Sequence, residues 1–222
     1  MHAPDGFIDV PVSIAAGVVA VGGVALCLRG ARRELDDRTA PLAGLVAVYV
    51  FAVQMLNFPV AGGTSGHLLG GTLAAVLVGP FTGALCVSVV LLVQAVLFAD
   101  GGLTALGVNI STMALATVLI GYPLARLLLK ARLGTALAAG LAAGVSVVGA
   151  SLVFVLFYAL GGTTDVDLAR VTGAMVGVHA LIGIGEGLIT ALTVGAIAST
   201  RPDLVHLGRP AAWGPVSASW KA

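Results

Sequence analysis

Residues 67–101, HLLGGTLAAVLVGPFTGALCVSVVLLVQAVLFADG, contain no lysine, arginine or glutamate, and their first aspartate is Asp100. A helix crosses the hydrocarbon core of a bilayer in about 20 residues, so this run is too long for one span. Gly79-Pro80 divides it, because proline breaks or kinks a helix. The pattern predicts two spans, His67–Gly79 and Phe81–Ala99, of which the first, at about 13 residues, is short.

The composition of the whole chain also indicates that a lipid bilayer surrounds the protein. Of 222 residues, 59% are hydrophobic and 9% are charged, whereas soluble domains carry about 25% charged residues. The 31 glycines suit membrane helices that pack closely. We therefore predict an all-α bundle of seven transmembrane helices in one domain, residues 1–200, with a short tip at 1–9 and a short, loosely ordered cytoplasmic tail at 201–222. The other five predicted spans are Val10–Leu28, Ala40–Phe58, Leu103–Leu129, Thr135–Leu160 and Val171–Thr200.

The basic residues predict the orientation, since cytoplasmic loops are enriched in lysine and arginine. One set of connections holds ten of them and the opposite set holds Arg170 alone. This places the N-terminus outside and the C-terminus in the cytoplasm of a multi-pass protein in a bacterial-type plasma membrane. The ten are Arg29, Arg32, Arg33, Arg38, Arg126, Lys130, Arg132, Arg201, Arg209 and Lys221.

Several classes of function are disfavoured. There is no basic stripe, so nucleic acid is not an expected partner. Membrane lipid is expected to contact the protein instead. Neither Lys130 nor Lys221 lies in a phosphate-binding GxxxxGK[ST] loop, so no bound nucleotide is expected. HExxH and GxSxG are absent as well, and an enzyme is not expected.

The first two residues can form a chelate. The α-amine of Met1, the amide nitrogen of His2 and a ring nitrogen of His2 close a five- and a six-membered ring around one ion. With the amide deprotonated the three donors are coplanar, a geometry that suits Ni(II) or Cu(II) better than tetrahedral Zn(II). A histidine at position two also generally prevents removal of the initiator methionine.

The residues that follow favour a structured tip. Pro4-Asp5-Gly6 is typical of a turn, and Asp9 can cap a first helix with Pro11 in its first turn. The alternative is a disordered terminus with an incidental histidine.

His67 is the candidate for a fourth nitrogen. It is predicted to open a span on the same outer side as the tip, after the glycine-rich Gly62–Gly66, with Thr64 or Ser65 as the helix cap. The alternative is a histidine that simply lies at the membrane interface.

Other polar residues are candidates of lesser weight. His179 and Glu186 are seven residues apart on the last span and so share a face; they either support the site or make structural contacts inside the bundle, the second being favoured. Of the amide side chains, Asn57 alone is expected to lie close enough to the outer loop to matter. A stripe of small residues on the sixth span either docks a partner or packs internally. The stripe is Ala138, Gly140, Ala142 and Gly144.

Met1-His2-Ala3-Pro4-Asp5-Gly6-Phe7 together with Gly63-Thr64-Ser65-Gly66-His67 resembles the CbiM/NikM family, the substrate-binding S components of energy-coupling factor transporters for cobalt and nickel. The resemblance extends over essentially the whole chain and includes the segment from His179 to Glu186. It implies that the ion is held by Met1, His2 and His67. It also implies one span beyond the six usual for S components.

The resemblance implies partners too: a transmembrane coupling subunit, two cytoplasmic ATPases and, in many systems, a small accessory membrane protein. The function predicted is therefore capture of Ni(II) or Co(II) for an ATP-driven importer, with the choice between the two ions left open. The alternative from another class is a self-sufficient secondary permease for a small organic solute.

Overall fold

A computed structural model describes residues 1–37, 39–59 and 65–208. These residues form seven helical segments joined by short connections. Phe58–Pro59 and Ser65–Gly66 pair as a small antiparallel ribbon between the second and third segments. The segments are α1 Val10–Ala31, α2 Thr39–Gln54, α3 Gly71–Val78, α4 Pro80–Leu97, α5 Leu106–Lys130, α6 Thr135–Gly161 and α7 Leu168–Thr200.

The prediction of a seven-helix membrane bundle is confirmed. Five of the helices are long and apolar enough to cross a bilayer, and α2 is a shorter apolar helix of 16 residues. Large apolar side chains face outwards along α1 and α7, for example Val21 and Leu181, both 71% exposed. An apolar exterior of this extent is compatible with lipid as the surrounding solvent.

The break at Gly79-Pro80 is also confirmed. Helix α3 ends at Val78, Gly79 adopts a left-handed φ of 101°, and Pro80 begins α4. At about 1.5 Å per residue the eight residues of α3 are too short to span a bilayer, and all eight are buried. The other helices therefore surround α3, which is how irregular backbone is tolerated at membrane depth.

The start of the third segment differs from the prediction. His67 does not open a helix; α3 begins four residues later, after Gly70, whose φ of 76° gives the turn, and no side chain caps it. The proposed caps are therefore wrong for Ser65, which lies in the ribbon, while Thr64 lies outside the described residues. Likewise α2 ends at Gln54, and Phe58 belongs to the ribbon. Glycine replaces a cap because the chain must turn sharply inside the bundle.

Two helix ends follow local sequence rules. The side chain of Asp9 accepts the amide N–H of Val12 at the start of α1, with Pro11 in the first turn. In α5, residues Ile110–Ala116 form a π-helical stretch, a departure from α-geometry that is frequent near functional sites.

The stripe of small residues on α6 packs internally. A Cβ atom placed on Gly140 would come within 2.6 Å of the carbonyl oxygen of Gly187, and one on Gly144 within 2.9 Å of that of Gly183. Ala138 and Ala142 are fully buried. The hypothesis that this surface docks a partner is therefore wrong, since the two glycines form the close contact between α6 and α7 and the two alanines are buried inside the bundle.

The first part of the predicted tail is packed, although loose order was expected. Val205 and Leu207 are 5% and 2% exposed and belong to the core. The ring of His206 lies 6.1 Å from that of Tyr122 on α5. Apolar residues at alternate positions hold this segment against the bundle.

Candidate metal site

The N-terminal tip is folded into one end of the bundle. Phe7 and Ile8 are each 4% exposed, and the ring of Phe7 packs against Phe154 and Tyr158 at 5.8 and 5.4 Å between centroids. The amide of Thr163 donates to the carbonyl of Phe7 at 3.1 Å. These contacts make Met1–Asp9 an ordered element.

Asn109 fixes the residue next to the candidate ligands. Its side-chain oxygen accepts the amide N–H of Ala3 at 2.8 Å, and its side-chain nitrogen donates to the carbonyl of Ala3 at 3.2 Å. The amide of Gly102 donates to the same carbonyl at 2.9 Å. Both peptide groups flanking Ala3 are thereby held. The expectation that Asn57 alone of the amide side chains lies near the site is therefore wrong.

The loop between α4 and α5 closes over the tip. Gly101 has a φ of +89°, and a Cβ there would lie 2.9 Å from Cδ2 of His2. The side chain of Asp5 accepts from both the amide and the hydroxyl of Thr104, each at 2.7 Å, and these bonds lower the pKa of Asp5. Asp5 therefore anchors the tip to this loop.

The segment that carries His67 is held from two sides. The carboxylate of Glu186 accepts the amide N–H groups of Leu69, at 2.5 Å, and of Gly70, at 3.0 Å. The side-chain nitrogen of Gln54 donates to the carbonyl of Leu69 at 2.7 Å. Because these bonds secure the backbone two and three residues after His67, they limit where its ring can lie.

The rings of His2 and His67 meet in the interior. His2 Nδ1 is 3.1 Å from His67 Nε2, while His67 Nδ1 is 2.7 Å from the carbonyl oxygen of Leu68. A carbonyl oxygen only accepts, so in the neutral ring His67 Nδ1 carries the proton and Nε2 presents its lone pair. Two nitrogens bound at right angles to one ion, each at about 2.0 Å, lie about 2.8 Å apart. The observed separation suits adjacent corners of one coordination plane.

Burial sets the protonation of the candidate donors. Met1 and His67 are fully buried and His2 is 4% exposed. Desolvation holds the pKa of the Met1 α-amine well below its usual value, although the charges of Asp100 and Glu186 oppose the shift. Desolvation is also the main cause of the lowered pKa of His67, and the charges of the nearby amine and of His2 add to it. Desolvation lowers the pKa of His2 as well. All three groups are therefore biased towards the uncharged, lone-pair-bearing form that binds metal.

Asp100 adds a carboxylate beside these donors. Its Oδ1 is 3.2 Å from His2 Nδ1, and its Oδ2 accepts from the side-chain nitrogen of Asn57 at 3.1 Å. The hydrogen bond from His2 is the main cause of the lowered pKa of Asp100. Asn57 thus reaches the site through Asp100 rather than directly.

His179 lies deeper on α7. Its Nδ1 donates to the carbonyl of Met175 at 2.8 Å, and its buried Nε2 has no hydrogen-bond partner among the described residues. It is close enough to add a minor electrostatic contribution to the lowered pKa of His67.

Backbone donors would complete a metal site at these two histidines. Across residues 1–37, 39–59 and 65–208 no group of three or more His, Cys, Asp or Glu side chains is placed to hold an ion. The pair of rings becomes a four-nitrogen set when the amine of Met1 and the amide of His2 are added. Four nitrogen donors can hold Ni(II) in a plane, and Co(II) with less demand on geometry.

The structure thus brings together His2 and His67, with the buried amine of Met1 adjoining them in the chain. Three predicted residues contact neighbours of this set rather than its nitrogens: Asn57, Asp5 and Glu186. His179 lies near the set, and the side chain of Ser65 is not described. No sequence pattern assigned Asp100 or Gln54 to the site. The available signal for Asp100 was its turn, Asp100-Gly101-Gly102, on the same side as the tip.

Comparison with known proteins gives a consistent result. Residues 2–204 match the family model CbiM, described as the cobalt uptake substrate-specific transmembrane region. The chain is 42% identical to a putative metal transport protein of Haloquadratum walsbyi, with 92% of this chain and 93% of the relative covered. It is 39% identical to a putative fused nickel transport protein, NikMN, of Archaeoglobus fulgidus (93% and 68%). It is 35% identical to the cobalt transport protein CbiM of Sorangium cellulosum (92% and 94%).

A solved structure shares the architecture. The crystal structure of a truncated transition metal transporter superposes with a TM-score of 0.85 at 28% identity, covering 90% of this chain and 99% of that one. The family is one of metal transport components and not of enzymes. Since the family model matches nearly the whole length, this multi-pass membrane protein belongs to the CbiM family.

Proposed function

We propose that the chain is the membrane-embedded substrate-binding (S) component of an ATP-driven energy-coupling factor importer for Ni(II) or Co(II). It captures the ion through the amine of Met1, the amide nitrogen and Nδ1 of His2, and Nε2 of His67. The observation that supports this most directly is the 3.1 Å contact between the two ring nitrogens inside a buried tip. The relatives named as nickel and cobalt transport proteins support the choice of ions.

The proposal includes a direction and partners. The tip faces outside and the basic connections face the cytoplasm. A coupling subunit, two ATPases and, in some systems, a small accessory membrane protein supply the energy and reorient the bundle for release inward. Because the small-residue stripe is used internally, the coupling subunit docks on another face.

Metal binding by single variants tests the site. Purified protein, stripped with a chelator and titrated with Ni(II), should bind one ion with the absorption of square-planar nitrogen coordination. His67→Ala should lower the affinity by about 100-fold or more, since it removes one of four donors. His206→Ala, at the Tyr122 end of the bundle, is the matched control and should bind normally. A wild-type protein that takes up neither Ni(II) nor Co(II) would end the proposal.

The pH dependence of affinity tests the amide donor. Deprotonation of the His2 amide releases one proton at every pH, so the dissociation constant should fall by about tenfold per pH unit as pH rises. Below the pKa of the amine the dependence becomes steeper. Because burial lowers that pKa, the steep region should begin at a lower pH in the protein than in a free peptide with residues 1–7. Calorimetry on both between pH 5 and pH 8 measures this, and a pH-independent affinity in the protein would contradict the chelate.

A further inference from the structure

Asp100 contacts the one ring nitrogen of His2 that the chelate needs. A six-membered chelate ring from the amide of His2 closes through Nδ1, and Nδ1 is the atom 3.2 Å from Asp100 Oδ1. The same nitrogen cannot both donate a hydrogen bond to Asp100 and bind an ion with its lone pair. Arrival of the ion must therefore replace the contact between His2 and Asp100, and the ring proton moves from Nδ1 to Nε2, which gives the other neutral tautomer.

Asp100 also connects the buried donors with water. Its side chain is 20% exposed, against 4% for His2. Asn57, which holds its second oxygen, is exposed. The other two carboxylates around the site are placed differently, because Glu186 is 2% exposed and Asp5 is turned to Thr104.

The local backbone keeps this carboxylate in place. Ala99 and Gly101 on either side have φ values of 51° and 89°, and the amide of Asp100 donates to the carbonyl of Gln94 at 3.1 Å. The positive φ of Ala99 costs energy because Ala99 is an L-residue with a side chain, whereas Gly101 adopts its positive φ freely. The conformation they support directs Asp100 to the tip.

We propose that Asp100 is the exchange ligand of the site: its Oδ1 takes the hydrated divalent ion from solution, passes it to His2 Nδ1, and receives it again on release. Carboxylate oxygens bind hydrated divalent ions readily. An ion about 2.0–2.2 Å from both an oxygen and a nitrogen that are 3.2 Å apart bridges them at a near-right angle. The transfer therefore needs no intermediate position. This inference rests on the proposed function and concerns the rates at which the ion binds to and leaves the same site.

Stopped-flow kinetics separates this role from a structural one. A ligand that mediates exchange accelerates association and dissociation together, whereas a residue that stabilises the bound state slows dissociation. Asp100→Asn should thus slow both the association of Ni(II) and its release to a chelator by about tenfold or more. The dissociation constant should change less than either rate, and the absorption spectrum of the bound ion should be unchanged. The rate of association should also lose much of its dependence on ionic strength.

Two further variants complete the test. Asp165→Asn removes an exposed carboxylate from the connection between α6 and α7 and should leave both rates unchanged. Asp100→Glu keeps a carboxylate and should restore exchange. Faster release with unchanged association in Asp100→Asn, or rates equal to wild type, would overturn the inference. If the wild-type protein binds no ion, the proposed function fails instead, so the two failures are distinguishable.

Discussion

Placing Gly-Ser ahead of Met1 abolishes tight Ni(II) binding while leaving the metal-free protein folded; this is the largest effect that we expect. The extension moves the α-amine away from the amide and ring of His2 and out of the buried position that the amine of Met1 occupies. The four nitrogens are then reduced to separate imidazoles without the benefit of chelation. The loss should be about 100- to 10,000-fold, the usual range for linked donors. Calorimetry with Ni(II) is the measurement.

The extension must add two residues rather than one. One added residue would put histidine third, where the amine, two amides and the ring supply four nitrogens without His67. Such a variant is informative in its own right, since any ion that it binds should not depend on His67. The same Gly-Ser added after Ala222 is the control and should have no effect.

Thermal unfolding shows whether the loss is one of binding or of folding. A ligand that binds only the folded state raises stability by RT ln(1 + [L]/Kd), or about 2.7 kcal/mol at 100 times Kd. Wild-type protein should gain this stabilisation on addition of Ni(II) and the extended protein should not, with similar metal-free midpoints. Unchanged affinity in the extended protein would refute a role for the amine.

The helices were predictable because each signal is local. The long uncharged runs, the proline after Gly79 and the cap at Asp9 need no knowledge of distant residues. The seven segments follow from these features. The C-terminal end of Ala40–Phe58 and the N-terminal end of His67–Gly79 were misplaced because the chain leaves helical geometry inside the bundle. There, tertiary contacts from Gln54 and Glu186 satisfy the backbone in place of the helix.

The candidate donors were predictable for a different reason. Met1 and His2 are adjacent, so their chelate is a matter of covalent geometry, and His67 was assigned through topology. Asp100 and Asn109 were not, because their contacts with His2 and Ala3 depend on the path of the loop over the tip. A polar residue in a span gives no indication in sequence of which backbone group it will bind.

Substitution of Glu186 has the second largest effect that we expect on Ni(II) affinity. In Glu186→Gln one carboxylate oxygen becomes an N–H₂ group, which would face an amide N–H of Leu69 or Gly70 as donor against donor. A buried donor without an acceptor costs about 1–3 kcal/mol, so the segment should shift and carry His67 with it. Residues that orient ligands without touching the ion typically change affinity by about 10- to 100-fold. We expect a loss of that size for Ni(II), measured by calorimetry, with a changed absorption spectrum of the bound ion.

The effect of Glu186 could arise from its charge instead, and a shorter acid separates the two explanations. Glu186→Asp keeps the charge but cannot reach both amides from α7. If hydrogen bonding to the segment matters most, this variant should bind as weakly as Glu186→Gln; if charge matters most, it should bind like wild type. Thr190→Val, one turn further along α7, removes a buried hydroxyl that has no hydrogen-bond partner among the described residues. Its affinity should be unchanged, so a comparable loss there would show that any polar change in this helix disturbs the site and that Glu186 has no particular role.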